Sequence, residues 1–207
     1  MYVPKPFQVD DHDALCAAIR THPFGLLTSA GPDGVPAATH VPFLLTDGAP
    51  MTLVTHLARA NPQARALQAG PQVRVVFSGP HGYVSPTWYA NPAQVPTWNY
   101  VAVHAIGRAT ITEAADRLQQ IVTNLARDYE GAGDAAWSFH RLPESLQAGL
   151  LRSIIGVEIT VDRLIGAWKL SQNKSTDDRT GVIAALEATG QADDARLAQA
   201  MRACRPT

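Results

Sequence analysis

The sequence predicts a mainly β, α+β fold: an antiparallel six-stranded β-barrel, closed or partly closed, with flanking helices and a short helical C-terminal appendage. Three observations carry this prediction. Short apolar runs recur from Phe24 onward and are separated by Asp-Gly turns, the pattern of an antiparallel meander. Such strands expose their edges unless the sheet curls on itself, and closure is the usual remedy. Hydrophobic residues make up 46% of the 207 and charged residues only 17%, enough for one sizeable core under a lightly charged surface.

The elements follow in order. After an extended leader, Asp10 reads as a helix N-cap with Val9 as its staple, and Leu15, Ala18 and Ile19 give helical apolar spacing. Pro23 stops that helix by His22. Residues 24–29 form a first strand, 31–34 a turn, 35–45 a second strand, 47–50 another turn, and 51–55 a third strand. Asn61-Pro62 marks a helix start, with Asn as cap and Pro at the first helical position, and the helix 62–69 ends at Gly70-Pro71. Strands follow at 73–78 and 100–112. A helix then carries Leu118, Ile121, Val122 and Leu125 on one face, a shorter one covers 143–152, and β-branched residues mark a sixth strand at 154–164. From 175 to 204 the pattern reads as two short helices broken at Gly190.

The most distinctive stretch runs from His81 to His104. Pro-Thr-Trp occurs twice in it, at 86–88 and 96–98, and five of the chain's 14 aromatics fall within these 24 residues. Proline cannot donate to a sheet ladder and is pushed to edges and loops. Aromatics on a Pro-braced loop suit a flat ligand that needs stacking faces at low entropic cost. They equally suit a rim that closes a barrel, and both readings stand at this level.

A second signal sits where the third strand meets the helix after it, in Thr55-His56-Leu57-Ala58-Arg59-Ala60-Asn61-Pro62. The strand end delivers His56 and Arg59 to a helix N-terminus, where free N–H groups and the dipole favour an anion. A guanidinium beside them is what a phosphate monoester requires. An ordinary capped helix with a solvated arginine is the plainer reading.

Composition narrows the classes. Lys plus Arg is 17 against 18 Asp plus Glu, a net charge of −1, so there is no general drive toward nucleic acid or anionic membrane. No apolar run is long enough to span a bilayer and the start lacks a signal-peptide pattern. Cys16 and Cys204, near opposite ends, fit a reducing cytoplasm better than a disulfide framework. There is no glycine-rich nucleotide loop, and the scattered histidines give no metal-ligand spacing.

Seven ordered stretches also carry a family resemblance. They are Met1-Tyr2-Val3-Pro4 with Phe7, His22-Pro23-Phe24, His40-Val41-Pro42, His56 through Pro62, Gly79 through Tyr89, Val95 through Tyr100, and Lys169-Leu170-Ser171-Gln172-Asn173-Lys174. In these the chain resembles the FMN-binding split-barrel proteins, and more specifically the PaiB-type family of FMN-binding negative transcriptional regulators. The resemblance implies a split β-barrel over residues 1–170 with a helical appendage over 171–207, FMN as cofactor, and a homodimer of the cytoplasm. It implies that Thr39, His40, Val41 and Pro42 run beside the flavin ring, and that Thr55, His56, Arg59 and Asn61 hold its phosphate end. Trp88, Tyr89, Trp98 and Asn99 would close over the ring, from the same or the partner subunit, and Lys174 would meet phosphate or ribityl oxygens.

Three functions follow as expectations: an FMN-binding regulator acting indirectly or a flavin-dependent redox enzyme; a haem-binding or haem-degrading barrel using His40, His56 or His104; and a protein-binding module. Direct DNA binding is not expected. From Ser175 onward there are four arginines against five acidic residues, and the only candidate recognition helix opens with Asp193-Asp194.

Overall fold

The structure is a computed structural model describing residues 1–31, 33–46, 48–131 and 136–205. In chain order it places β1 (Gln8–Val9), α1 (His12–Thr21), β2 (Phe24–Ser29), β3 (Ala37–Pro42), β4 (Leu44–Thr46) and β5 (Thr52–Ala58). Next come α2 (Pro62–Leu67), β6 (Gln72–Val84), β7 (Thr97–Thr112), α3 (Ala115–Glu130) and α4 (Glu144–Arg152). The chain ends with β8 (Ile154–Lys169), α5 (Thr176–Ala188) and α6 (Ala192–Ala203).

Two compact units interleave along the sequence. The first comprises Met1–Thr21, Ser78–His104 and Ile165–Thr207, the second His22–Phe77 and Ala105–Leu164. Residues 171–207 are thus described with the aromatic segment and the N-terminal helix.

In the second unit the strand order is β3-β2-β6-β7-β8-β5-β4, and its two ends, β3 and β4, are not paired with each other among the described residues. The sheet is mostly antiparallel and open, as in a split barrel. β2 and β3 form a hairpin in register from Phe24↔Pro42 to Ser29↔Ala37. β5 pairs with β8 from Thr52↔Thr160 to Ala58↔Ile154. Phe43 and Phe77 meet edge to face at 5.6 Å, both almost fully buried. α3 buries Leu118, Ile121 and Leu125, the stripe that its spacing predicts.

In the first unit β1 pairs with the end of β8, Gln8 opposite Ala167 and Val9 opposite Gly166. α5 and α6 pack Val182, Leu186, Leu197 and Met201 against Val84, Tyr89, Val101 and Leu170. The turn between the helices passes through Gly190 at φ 68°, a left-handed conformation that favours glycine. Gly181 is required for a different reason: a Cβ there would lie 2.3 Å from the Trp88 carbonyl oxygen.

Several expectations need correction. Among the described residues the sheet has eight strands rather than six, because β1 is added and the expected strand 35–45 is two. It breaks at Phe43, whose side chain is buried and whose N–H turns to the Pro23 carbonyl at 2.9 Å. β5 runs on to Ala58, so His56 lies within the strand rather than after it; its partner β8 continues the ladder that far. β6 and β7 extend into the aromatic stretch, leaving only residues 85–96 between them. β6 continues through Pro80, beyond the end of the β2 register at Val76. α1 is capped by Asp11, whose carboxylate accepts from the N–H groups of Asp13 (3.0 Å) and Ala14 (3.1 Å), while Asp10 accepts from the Gln8 side chain. The turns expected at 31–34 and 47–50 include Pro32 and Asp47, which lie outside the described residues.

Candidate functional site

The strand-to-helix corner after β5 lies in the second unit. Thr55 is fully buried and His56 faces Gly156 across the ladder. The Thr55 hydroxyl and His56 Nδ1 are buried without a hydrogen-bond partner, an arrangement that native structures rarely leave unexplained. Burial holds the His56 imidazole below its usual pKa.

Arg59 crosses to the start of β8. Its Nε donates to the Arg152 carbonyl at 2.9 Å, Nη2 donates to the Ile154 carbonyl at 3.1 Å, and Nη1 lies 2.8 Å from the Glu113 carboxylate. The ion pair is about half exposed and contributes at most about 1 kcal/mol. A guanidinium has five N–H groups, so Arg59 keeps donors to spare after these three contacts.

Asn61 caps α2 by accepting from the Gln63 N–H at 2.9 Å, and its amide donates to Thr39 Oγ1 at 3.0 Å. Thr39 in turn donates to Gln63 Oε1 at 2.5 Å. The buried Gln63 amide then reaches Leu27 O (3.2 Å), Ser29 Oγ (3.1 Å) and Ala37 O (3.3 Å). Beside this network opens a pocket of about 620 Å³ whose wall includes Arg59, Asn61, Gln63 and Arg65, within the ~300–1,000 Å³ usual for small-molecule sites. Arg65 is exposed and forms no ion pair among the described residues. Sequence reading missed both Gln63 and Arg65. The available signal was spacing, since Arg65 stands four residues after Asn61 and so on the same helix face.

On β3 the side chains alternate. Thr39 and Val41 are half-buried, whereas His40 is exposed and stacks on Phe24 at 5.9 Å and 20°. Pro42 stands opposite Phe24 in the hairpin.

The first unit gathers the aromatic segment. Trp88 and Trp98 each meet Tyr83 edge to face, at 6.4 and 6.3 Å, and His81 stacks on Trp98 at 6.5 Å. Ser85 caps the single helical turn Pro86–Trp88 by accepting from the Thr87 N–H at 3.2 Å. Trp98 and Tyr83 remain 55% and 47% exposed, so one face of this cluster is open. Tyr89 and Asn99 turn inward instead. Asn99 is 1% exposed and donates to Ser171 Oγ at 2.9 Å, while Lys174 lies over the Tyr89 ring at 5.6 Å. The structure thus joins Arg59 and Asn61 on the wall of one pocket, with Thr39 bonded to Asn61, brings Trp88 and Trp98 to Tyr83, and places Tyr89, Asn99 and Lys174 around another pocket.

Among the described residues no group of three or more His, Cys, Asp or Glu could hold a metal ion, and no helix is long and apolar enough to cross a membrane. Residues 1–163 match the sequence model of the family described as "Putative FMN-binding domain". The chain is also 34% identical over 202 residues, 97% of its own length and 96% of the relative's, to the protease synthase and sporulation protein PAI 2 of Bacillus subtilis. The chain belongs to the PaiB-type FMN-binding family.

Solved structures place the same fold at lower identity. The flavocytochrome Anf3 of Azotobacter vinelandii superposes with a TM-score of 0.63 at 17% identity, over 78% of this chain and 69% of its own. The FAD and haem binding protein of Mycobacterium smegmatis gives 0.60 at 18% identity, over 78% and 73%. These likenesses concern the split-barrel fold alone. The family's cofactor is FMN, and the corner after β5 fits it on chemical grounds. A phosphate monoester carrying about −1.5 to −2 charges would meet Arg65 and the spare Arg59 donors on the pocket wall.

Proposed function

We propose that this family member is a cytoplasmic, homodimeric FMN-dependent redox protein whose influence on transcription is indirect. The observation that carries the reading is the 620 Å³ pocket beside α2, with Arg59, Asn61 and Arg65 on its wall, in a chain of an FMN-binding family. Arg65 and Arg59 hold the phosphate, and Asn61 keeps the helix start in place through its cap and its bond to Thr39. Thr39 to Pro42 offer strand backbone to the flavin ring. Trp88 and Trp98, with Tyr83, present the exposed aromatic face that covers the ring across the dimer. FMN supplies the electron-transfer chemistry when bound, and the side chains bind it, orient it and exclude water.

The indirect route is supported by the C-terminal helices. Arg196 pairs with Asp193 at 3.2 Å and Arg202 with Glu187 at 2.8 Å, while Arg179 is buried against the Met201 and Cys204 carbonyls. These cations are already engaged, and a DNA-reading surface needs a surplus to neutralise phosphates. The relative's name connects that protein with protease synthesis and sporulation; a redox or ligand-binding output, passed to another protein, is the corresponding role here. The test is the visible absorption spectrum of freshly purified protein. Flavin bands released as FMN on denaturation are expected; a Soret-type haem band, or no chromophore after reconstitution with FMN, contradicts the proposal.

A further inference from the structure

Lys169 ends β8, and Lys174 immediately precedes Ser175, the N-cap of α5. The turn between them is rigid. Ser171 adopts φ 59°, a left-handed conformation unusual for a residue other than glycine. Its hydroxyl is held by Asn99 at 2.9 Å, and its carbonyl accepts from the Lys174 N–H at 3.0 Å. The Gln172 side chain accepts from the Leu170 N–H at 2.8 Å and donates to the Pro6 carbonyl at 3.0 Å.

This turn brings Lys169 and Lys174 to the wall of one pocket of about 180 Å³, lined also by Tyr89, Thr97, Asn99 and Ser171. Their partners are neutral. Lys169 donates to the Thr97 hydroxyl, and Lys174 donates to Gln94 Oε1 at 2.6 Å. Neither lysine forms an ion pair among the described residues. Burial, and then the charge of Lys174, hold Lys169 below its usual pKa. The Tyr89 hydroxyl completes the pattern. It belongs to a residue only 7% exposed and has no partner in hydrogen-bond geometry, although Ser171 is near enough to favour its ionised form against the larger effect of burial. The nearby Asp178 carboxylate accepts from the Asn91 N–H at 3.0 Å, and its charge favours the protonated, donating form of the Tyr89 hydroxyl.

We infer that this pocket is a second ligand site, which takes one compact oxyanion, a carboxylate or phosphate group, between Lys169 and Lys174 with the Tyr89 hydroxyl as a third donor. Its volume corresponds to about six waters at ~30 Å³ each and lies below the ~300 Å³ at which whole cofactors are usually housed. It therefore accepts the head of a small acid and not the body of FMN. This differs from the role that family resemblance implies for Lys174 and does not depend on where the flavin phosphate sits.

The probes are inorganic phosphate and acetate, titrated by calorimetry into the full-length protein, FMN-loaded and flavin-free, with ionic strength held constant by chloride. Saturable binding of at least one probe to both forms is expected. Charge-assisted contacts predict a loss of at least about tenfold in affinity in Lys169→Gln and Lys174→Gln. A several-fold loss is expected in Tyr89→Phe, which keeps the ring packing and so the fold. FMN and riboflavin affinities should be unchanged in all three variants. Absence of saturable binding to the wild type, or equal binding by Tyr89→Phe and the wild type, overturns the inference. So does a lysine variant that weakens FMN but not riboflavin, since the pocket then holds the flavin's own phosphate.

Discussion

Burial holds the His56 imidazole below its usual pKa, and its Nδ1 has no hydrogen-bond partner among the described residues. Its folded pKa lies below the ordinary value of about 6.5, so as pH falls through that value the unfolded chain takes up a proton that the folded chain refuses. The stability associated with neutral His56 is intact above the ordinary value and is lost as pH falls from there toward the lowered folded one. Thermal melts between pH 7.5 and 5 should therefore fall more steeply for wild type than for His56→Gln, and parallel slopes would contradict this. At the same scale, Arg59 and Asn61 were legible in the sequence because an Asn-Pro cap after a strand is local chemistry. The triple engagement of Arg59 was not, since Glu113, Arg152 and Ile154 are brought to it only by the tertiary fold.

Among the elements, α2 is fastened to the β2–β3 hairpin by one buried side chain. Gln63→Leu removes hydrogen-bond partners of Thr39 Oγ1, Ser29 Oγ and two strand carbonyls. Each group left unsatisfied costs about 1–3 kcal/mol, so a loss of at least ~2 kcal/mol in denaturant unfolding is expected, and a loss below 0.5 kcal/mol would show that the network is dispensable. The helices α1, α3, α5 and α6 and the cores of β2 and β5 were readable from apolar period and caps. Strand ends were not. The break at Phe43 depends on a bond to Pro23, and the lengths of β5, β6 and β8 depend on which partner continues the ladder. The Pro-Thr-Trp repeat reads as two loops in sequence, yet only the first is a helical turn between strands, while the second opens β7.

For the whole molecule, the exposed Trp98 and Tyr83 leave apolar area of the kind that self-association covers. Light scattering at micromolar concentration should return the mass of two chains, and a mass of one chain would remove the proposed dimer. The family itself was legible because its motifs are spread over most of the chain, whereas the only local signal for Arg65 was its helical spacing from Asn61. Arg65 also allows the cleanest test of the flavin site, since its removal disturbs no hydrogen bond described in the fold. The decisive measurement is the affinity of Arg65→Ala for FMN and for riboflavin, by quenching of flavin fluorescence. A phosphate contact of about 1.5–3 kcal/mol predicts FMN binding weakened about ten- to a hundredfold with riboflavin binding unchanged; equal loss for both ligands, or none for either, would contradict a flavin phosphate at the β5–α2 corner.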